Sequence, residues 1–273
     1  ALAASLAGAG VRYAALTDHD SLEGLPRFQD ALKRRGIACL NGIEITAQFR
    51  GREAHLLAYG FDSEHPDLLA TLVSLRQVRA LEVHSISGSL RKMGANRPGG
   101  TEDTPAVSAA PEGRLEIGAA IALLHRAGGK VFWAHPLNYA ADPSLLEDCL
   151  LELKAAGLDG IEAVYAPYRP EQRDQLRCLA REHGLLVCAG TDFHGGHGPG
   201  GEYAIQMPRE DWEPFRRAVF AAAAFSPAPD PRRETAANAP AERGRPAPKP
   251  HHCRCRSYIL RIFLPTLVAI GLF

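Results

Sequence analysis

The junction that decides the fold is Thr17-Asp18-His19-Asp20, which directly follows the apolar segment Val11–Leu16. A short apolar run of this kind is typical of a buried strand. Two carboxylates and an imidazole are unfavourable in an apolar core, but they are good ligands for a divalent metal ion. The junction therefore predicts a strand that ends at a metal site.

The same combination of an apolar run and a metal-binding side chain recurs along the chain. Strand-like segments alternate with amphipathic helical segments, and this alternation predicts an α/β fold with a parallel sheet, either open or closed into a barrel. In such folds the carboxyl ends of the strands converge at one edge, where active sites lie. The candidate ligands at predicted strand ends are His19, Glu44, His135, Asp192 and His194.

A further candidate ligand, His55, begins its strand instead of ending it. A predicted hairpin turn at Phe49-Arg50-Gly51-Arg52 reverses the chain, so we expect His55 to return beside Glu44. Together the six candidates exceed the four ligands of a tetrahedral zinc ion and indicate two or three ions. A set of nitrogen and oxygen ligands leaves zinc, manganese and iron open.

Each candidate alone also has an ordinary structural explanation. His135 could be a core histidine bonded to a carbonyl group, and Asp192 could cap a loop. Their joint occurrence at strand ends favours a shared site. Asp18 is predicted to orient His19, and Asp20 is predicted either to be a ligand or to cap the helix that follows.

The composition limits the classes of function. The chain has 273 residues, with 31 Lys and Arg balanced by 31 Asp and Glu, so it is not a uniformly basic nucleic-acid binder, and no stable nucleic-acid complex is expected. No signal peptide is visible at the first residues. Cysteines scattered through apolar segments favour a reducing compartment, and we predict a cytoplasmic protein.

The last part of the sequence differs in composition. Seven prolines lie between Pro227 and Pro250, which predicts a disordered tail over residues 226–273 after a domain over residues 1–225. The apolar end Tyr258–Phe273 is shorter than the roughly 20 residues of a membrane span, and membrane contact is not expected. We predict that this end has no folded role. Metal binding by the closely spaced His251, His252, Cys253 and Cys255 is not favoured.

Five short motifs, in this order, resemble the PHP (polymerase and histidinol phosphatase) superfamily over roughly residues 1–205. Within it they are most similar to bacterial phosphatases that act on nucleoside 3',5'-bisphosphates and trim short RNA 5' ends. The motifs are Thr17-Asp18-His19-Asp20, Gly42-Ile43-Glu44, His55-Leu56-Leu57-Ala58-Tyr59-Gly60, Ala134-His135-Pro136 and Gly190-Thr191-Asp192-Phe193-His194-Gly195.

The resemblance implies a distorted (β/α)7 barrel and phosphomonoester hydrolysis by metal-activated water, without a covalent intermediate. The substrate would be a small phosphorylated molecule, either a nucleotide or a short RNA end. The implied metal ligands are His19, Glu44, His55, His135, Asp192 and His194, and the implied catalytic positions are Asp18, His19 and His194.

The sequence departs from the family pattern in two places. The family's first strand, with a His-x-His motif, would precede Ala1, so we expect the sequence to begin partway through the domain and to bind metal weakly. The family's helical insertion is replaced by a short loop over residues 94–113, which predicts a shortened lid. The nearby cations are expected to be solvated loop residues rather than phosphate contacts, and they are Arg91, Lys92, Arg97 and Arg114.

Three other functions remain open from the sequence. Histidinol phosphate is an alternative substrate for the same chemistry. A PHP domain that has lost ligands can persist as a non-catalytic structural module. Amidohydrolase chemistry also uses His and Asp at strand ends, but it would require a lysine there, and Lys130 precedes its strand.

Overall fold

Strands and helices alternate along the parts of the chain that the computed structural model describes, which are residues 2–78, 114–194, 204–220 and 266–270. The strands are β1 (Tyr13–Leu16), β2 (Ala38–Phe49), β3 (Arg52–Tyr59), β4 (Leu115–Glu116), β5 (Lys130–Trp133), β6 (Gly160–Tyr165), β7 (Leu186–Gly190), β8 (Ile205–Gln206) and β9 (Thr266–Ile270). The helices are α1 (Leu2–Gly8), α2 (Leu25–Lys33), α3 (residues 66–78), α4 (Ile117–Arg126), α5 (Pro136–Tyr139), α6 (Pro143–Ala155), α7 (Pro170–Glu182) and α8 (Arg209–Phe220).

One curled sheet organises these elements, in the order β7-β6-β5-β3-β2-β1-β9-β8, with β4 paired to the side of β2. Strands β1 and β2 are parallel, as are β5, β6 and β7. Strand β3 is antiparallel to both β2 and β5. The carboxyl ends of β1, β2, β5, β6 and β7 therefore share one edge with the amino end of β3. This confirms the predicted α/β class.

The second strand is longer than the sequence predicts. Two strands at residues 37–40 and 43–47 are expected, but β2 runs without interruption from Ala38 to Phe49. A Cβ at Gly42 would lie 2.7 Å from the carbonyl oxygen of Leu16, so glycine lets β1 and β2 approach at this point. Asn41 stays in the strand because its side chain bonds Gln29 and the carbonyl of Phe61. The strand therefore carries Glu44 rigidly beside β1.

The sequence offers Ser21 as the cap of a helix that runs to Arg35, but this helix start is wrong. Helix α2 begins at Leu25 with Gly24 as its N-cap. Asp20 does not cap the helix, because Oδ1 of Asp20 accepts a 2.9 Å hydrogen bond from the buried backbone N–H of Thr46 on β2. Asp20 thus joins the end of β1 to its neighbouring strand, and the helix starts only after the turn that follows.

The prediction that the end of the chain has no folded role is wrong for β9. This strand pairs in parallel with β1, Thr266–Ile270 against Tyr13–Leu16, and in antiparallel with β8. Because the family's first strand would precede Ala1, the sequence also predicts an unpaired position beside β1, and β9 occupies such a position. An edge strand presents unpaired backbone groups that favour the addition of another strand, and a short apolar segment with β-branched residues supplies one.

The core lies on the faces of the sheet. Trp133, Trp212, Tyr59, Phe132 and Phe215 are among its largest fully buried side chains. The short lid loop and the C-terminal cysteine and histidine cluster are predictions that lie outside the described residues. Among the described helices, none is both long and apolar enough to cross a membrane.

Candidate metal centre

Three imidazoles converge on the carboxylate of Glu44 at the shared strand edge. Nδ1 of His55 lies 3.0 Å from Oε1 of Glu44, and Nε2 of His135 lies 3.3 Å from the same oxygen. Nε2 of His19 lies 3.6 Å from Oε2. The isolated bridge between His19 and Glu44 and the hairpin between β2 and β3 bring these groups together. As predicted, His55 returns beside Glu44.

The spacing of these atoms fits the ligand shell of one metal ion. Ligands at about 2.0–2.1 Å from a tetrahedral zinc ion lie about 3.3 Å from one another. Nδ1 of His55 and Nε2 of His135 are separated by 3.3 Å, the same distance as Nε2 of His135 from Glu44. His19, Glu44 and His55 also have ligand atoms within 4.8 Å of one another. The residues present therefore fit a divalent ion.

The same arrangement sets the charge of the centre. Burial acts to raise the pKa of Glu44, but the positive charge of His19 and hydrogen bonds to His135 and His55 outweigh it and hold that pKa well below its usual value. Burial acts to lower the pKa of His55, but its bonds to Glu44 and Glu53 raise it to about 10. A buried carboxylate that stays ionised among imidazoles is the electrostatic condition for binding a cation.

Asp192 and His194 extend the centre on the side of β7. Asp192 lines the same small cavity as Glu44 and His135. Its Oδ2 accepts a 2.7 Å hydrogen bond from the hydroxyl of Tyr165, and its Oδ1 lies 3.2 Å from Nδ1 of His194. The rings of His194 and His19 have centroids 6.3 Å apart. The structure thus brings all six predicted ligand positions to one edge of the sheet.

The backbone at this edge is strained at residues that carry the chemistry. Asp20, His135 and Asp192 adopt φ angles of 51°, 29° and 48°, in the left-handed region that side chains rarely occupy. Each directly follows or closely follows a strand end. Such strain is characteristic of functional sites, where neighbouring contacts hold the residue in place.

Glu162 belongs to the site and was missed by the sequence reasoning. It lines the cavity with Glu44, His135 and Asp192, and its Oε2 accepts a 2.8 Å hydrogen bond from the backbone N–H of His135. Burial raises the pKa of Glu162 well above its usual value, and the charges of Asp192 and Glu44 add to this. A carboxyl group inside the apolar run Gly160–Tyr165 was the available signal.

A bulge explains how Glu162 and Tyr165 both reach the site. Side chains three residues apart on a regular strand face opposite sides of the sheet. The pairing of β6 with β7 shifts register between Glu162 and Val164, so the alternation is broken between the two functional side chains. The regular alternation of side chains along a strand therefore does not predict that Glu162 and Tyr165 share one face.

Asp18 and Arg114 occupy positions that the sequence did not define. Oδ2 of Asp18 lies so close to Gly24 that a Cβ there would approach it to 2.6 Å, which places this carboxylate at the start of α2. Arg114 forms an ion pair with Glu53, and its side chain is only 11% exposed. The expectation that Arg114 is a solvated loop cation is therefore wrong. Arg91, Lys92 and Arg97 lie outside the described residues.

The comparisons with known proteins agree with this geometry. No protein-family model matches the chain. It is 28% identical over 242 residues to the 3',5'-nucleoside bisphosphate phosphatase of Chromobacterium violaceum, covering 76% of this chain and 84% of that protein. It is 28% identical over 221 residues to the 5'-3' exoribonuclease of Haemophilus influenzae, covering 68% of this chain and 80% of that protein. A solved structure of an amidohydrolase from Chromobacterium violaceum, with bound sulfate, superposes with a TM-score of 0.68 at 25% identity, covering 80% of this chain and 90% of that one.

The curled sheet and the imidazole–carboxylate cluster fit a phosphoesterase with a candidate metal centre. Within that class, the chain is similar to proteins named 3',5'-nucleoside bisphosphate phosphatase and 5'-3' exoribonuclease, in agreement with the PHP resemblance of its motifs.

Proposed function

We propose that this chain hydrolyses the phosphomonoester of a nucleoside 3',5'-bisphosphate to give the nucleoside 5'-monophosphate, or trims the 5' ends of short RNA. The observation that supports this proposal most strongly is the convergence of His19, His55 and His135 on Glu44 with the spacing of one metal-ligand shell. The names of the relatives supply the substrate class.

The proposed ligands of a first ion are His19, Glu44, His55 and His135. Asp192 and His194 would contribute to a second ion, and the family resemblance allows a third. Divalent ions bound there would activate a water molecule at neutral pH and neutralise charge on the phosphoryl group. Zinc, manganese and iron suit this ligand set.

The chain's own residues would orient the reacting groups. Tyr165 holds Asp192 through its hydroxyl, and the backbone carbonyl and carboxylate of Asp192 face Nδ1 of His194. Nε2 of His194 is then the nitrogen that would bind an ion or give a proton to the leaving oxygen. Asp18 would act through the position of the neighbouring His19.

The proposal includes several finer features. The sheet would belong to a distorted (β/α)7 barrel within a domain over residues 1–225. The tail after residue 225 would contribute β9 but no catalytic group. The net charge of zero is compatible with a small phosphorylated substrate, and the cysteines scattered through apolar segments support a cytoplasmic location.

The test is a comparative assay of the purified chain with Mn²⁺ or Zn²⁺. Adenosine 3',5'-bisphosphate, a short 5'-phosphorylated RNA, histidinol phosphate and a simple amide are the substrates. We expect phosphate release from the first two, and loss of at least about a hundredfold in the His135→Ala variant, since removal of a ligand disrupts the site. His183→Ala is the matched control, because His183 bonds Glu147 far from this centre.

Each alternative gives a distinct result in this assay. Preferred turnover of histidinol phosphate would replace the substrate while retaining the chemistry. Amide hydrolysis would favour an amidohydrolase, although the described strand ends carry no lysine of the kind that such a site requires. Absence of any turnover in a protein that retains its fold would favour a structural module. Elemental analysis of the same preparation would measure the metal content.

A further inference from the structure

The two ring nitrogens of His55 face different partners. Nδ1 lies 3.0 Å from Oε1 of Glu44 and 3.3 Å from Nε2 of His135, so it faces the candidate metal centre. The other ring nitrogen, Nε2, lies 2.8 Å from Oε1 of Glu53. One ring nitrogen of His55 therefore contacts the ligand cluster, and the other contacts the carboxylate of Glu53.

Strand geometry explains why Glu53 can reach this nitrogen. Glu53 and His55 are two residues apart on β3, and alternate residues of a strand lie on the same face. In the hairpin they pair with Gln48 and Thr46 of β2, so Glu53 lies nearer the turn than the ligand cluster does. Its carboxylate can therefore contact the ring of His55 from the outer side.

The second oxygen of Glu53 is also held. Oε2 of Glu53 is paired with Nη1 of Arg114, whose side chain is largely buried. Arg114 directly precedes β4, and β4 pairs with β2 at Ala47 and Gln48. The carboxylate is thus fixed at one oxygen by a cation anchored to the sheet and presents the other oxygen to His55.

From this arrangement we propose that Glu53 is a positioning residue, supported by Arg114, which orients the ring of His55 so that Nδ1 serves as the metal-binding nitrogen. The inference deepens the proposed function, on which it rests for the role of His55 as a ligand. An ionised carboxylate can only accept a hydrogen bond, so Glu53 holds a proton on Nε2, and Nδ1 is then the nitrogen that would bind an ion when Glu44 is also a ligand.

The hydrogen bonds and charges around Glu53 favour this role. Both oxygens of Glu53 have donors, the ring of His55 on one side and the guanidinium of Arg114 on the other, and both favour a carboxylate at this position. The side chain is 45% exposed, so replacing it does not leave a cavity in the core. A change at Glu53 therefore tests orientation with little effect on packing.

The experiment compares zinc affinity, measured by calorimetry, in the wild type and in Glu53→Leu, Glu53→Gln and Arg114→Gln. Loss of a carboxylate that orients a ligating histidine typically costs about 10–100-fold in metal affinity. We expect that loss in Glu53→Leu and smaller losses in the other two, because the amide of Gln can still accept the Nε2 proton. Glu152→Leu is the matched control, since Glu152 is an exposed partner of Arg50 outside the centre.

A second readout does not depend on bound metal. In protein labelled with ¹⁵N-histidine and kept in a chelator, the Nε2 proton of His55 should be hydrogen-bonded and slow to exchange in the wild type. Glu53→Leu should lose that signal, while Glu152→Leu should keep it. Circular dichroism confirms that each variant retains the fold.

Wild-type zinc affinity in Glu53→Leu, or an unchanged Nε2 proton signal, would overturn the inference. Unchanged zinc affinity in Arg114→Gln would overturn the supporting role of Arg114. A wild-type chain that binds no zinc would overturn the ligand role of His55 and the inference with it. A wild type that shows the expected pattern of affinities but releases no phosphate would contradict only the proposed function.

Discussion

The carboxyl group of Glu162 accepts a 2.8 Å hydrogen bond from the backbone N–H of His135, at a residue whose φ of 29° is strained. The bond links the end of β5 to the bulged strand β6. It also gives the backbone N–H of His135, just beyond the buried end of β5, a hydrogen-bond acceptor. Glu162 therefore stabilises the backbone from which the imidazole of His135 projects.

Two substitutions at Glu162 should show whether its hydrogen bond to His135 or its charge contributes to the stability of the fold. Burial raises the pKa of Glu162 well above its usual value and so favours its neutral form, which a glutamine resembles. We expect Glu162→Leu to lose about 1–3 kcal/mol of unfolding free energy, since the amide of His135 is left without this acceptor. Glu162→Gln should lose less, and urea denaturation measures both. Equal losses would contradict this account.

Two glycines provide a matched pair for core packing. A Cβ at Gly160 would lie 2.4 Å from the carbonyl oxygen of Leu186 and 2.6 Å from the ring of Phe132, whereas a Cβ at Gly118 in α4 meets nothing within 4 Å. We expect Gly160→Ala to destabilise the fold by about 1–3 kcal/mol through overpacking. Gly118→Ala should stabilise it by about 0.5–1 kcal/mol, because alanine loses less backbone entropy in a helix. Denaturant midpoints of the two variants should shift in opposite directions.

Truncation should test the pairing of β9 with β1. Ending the chain after residue 265 removes the partner of Tyr13–Leu16, and ending it after residue 270 keeps that partner. We expect the shorter chain to melt at a lower temperature and to aggregate more readily, because an uncovered edge favours pairing with other chains. The chain that ends after residue 270 is the control, and it should melt at the same temperature as the full chain. Identical melting of the two truncations would show that β9 does not contribute to the sheet.

The raised pKa of His55 predicts how stability changes with pH in a chelator. The folded pKa is about 10 and the reference value is 6.5, so the folded state holds the proton more tightly than the unfolded state. The resulting stabilisation is fully present below pH 6.5 and is lost as the pH rises towards 10. Unfolding free energies from pH 6 to 10 should therefore fall more steeply for the wild type than for His55→Gln. Parallel curves would indicate that the proton on His55 is not stabilised by folding.

The positions of the candidate ligands could be predicted because they depend on local patterns. Apolar runs followed by His, Asp or Glu locate strand ends, and the turn between β2 and β3 is sufficient to return His55 to Glu44. Glu162 could not be assigned to the site, because the bulge in β6 alters which face its side chain occupies. An alternating pattern of apolar and polar residues does not reveal a bulge.

The end of the chain could not be assigned for a different reason. The pairing of β9 with β1 joins segments separated by most of the sequence, and a local pattern carries no information about a distant partner. Proline-rich composition before β9 predicts a segment unable to form a core of its own, and that segment lies outside the described residues. That composition does not determine whether a short apolar segment beyond it pairs with a strand of the sheet.

The strained backbone at His135 and Asp192 has a consequence for attempts to improve this protein. Conformations of this kind cost of order 1–3 kcal/mol each when the residue has a side chain, and glycine adopts them without that cost. A library screened only for heat resistance will therefore favour glycine at these two positions, and it will remove an imidazole and a carboxylate from the centre. Selection for durability and selection for turnover act in opposite directions at these residues.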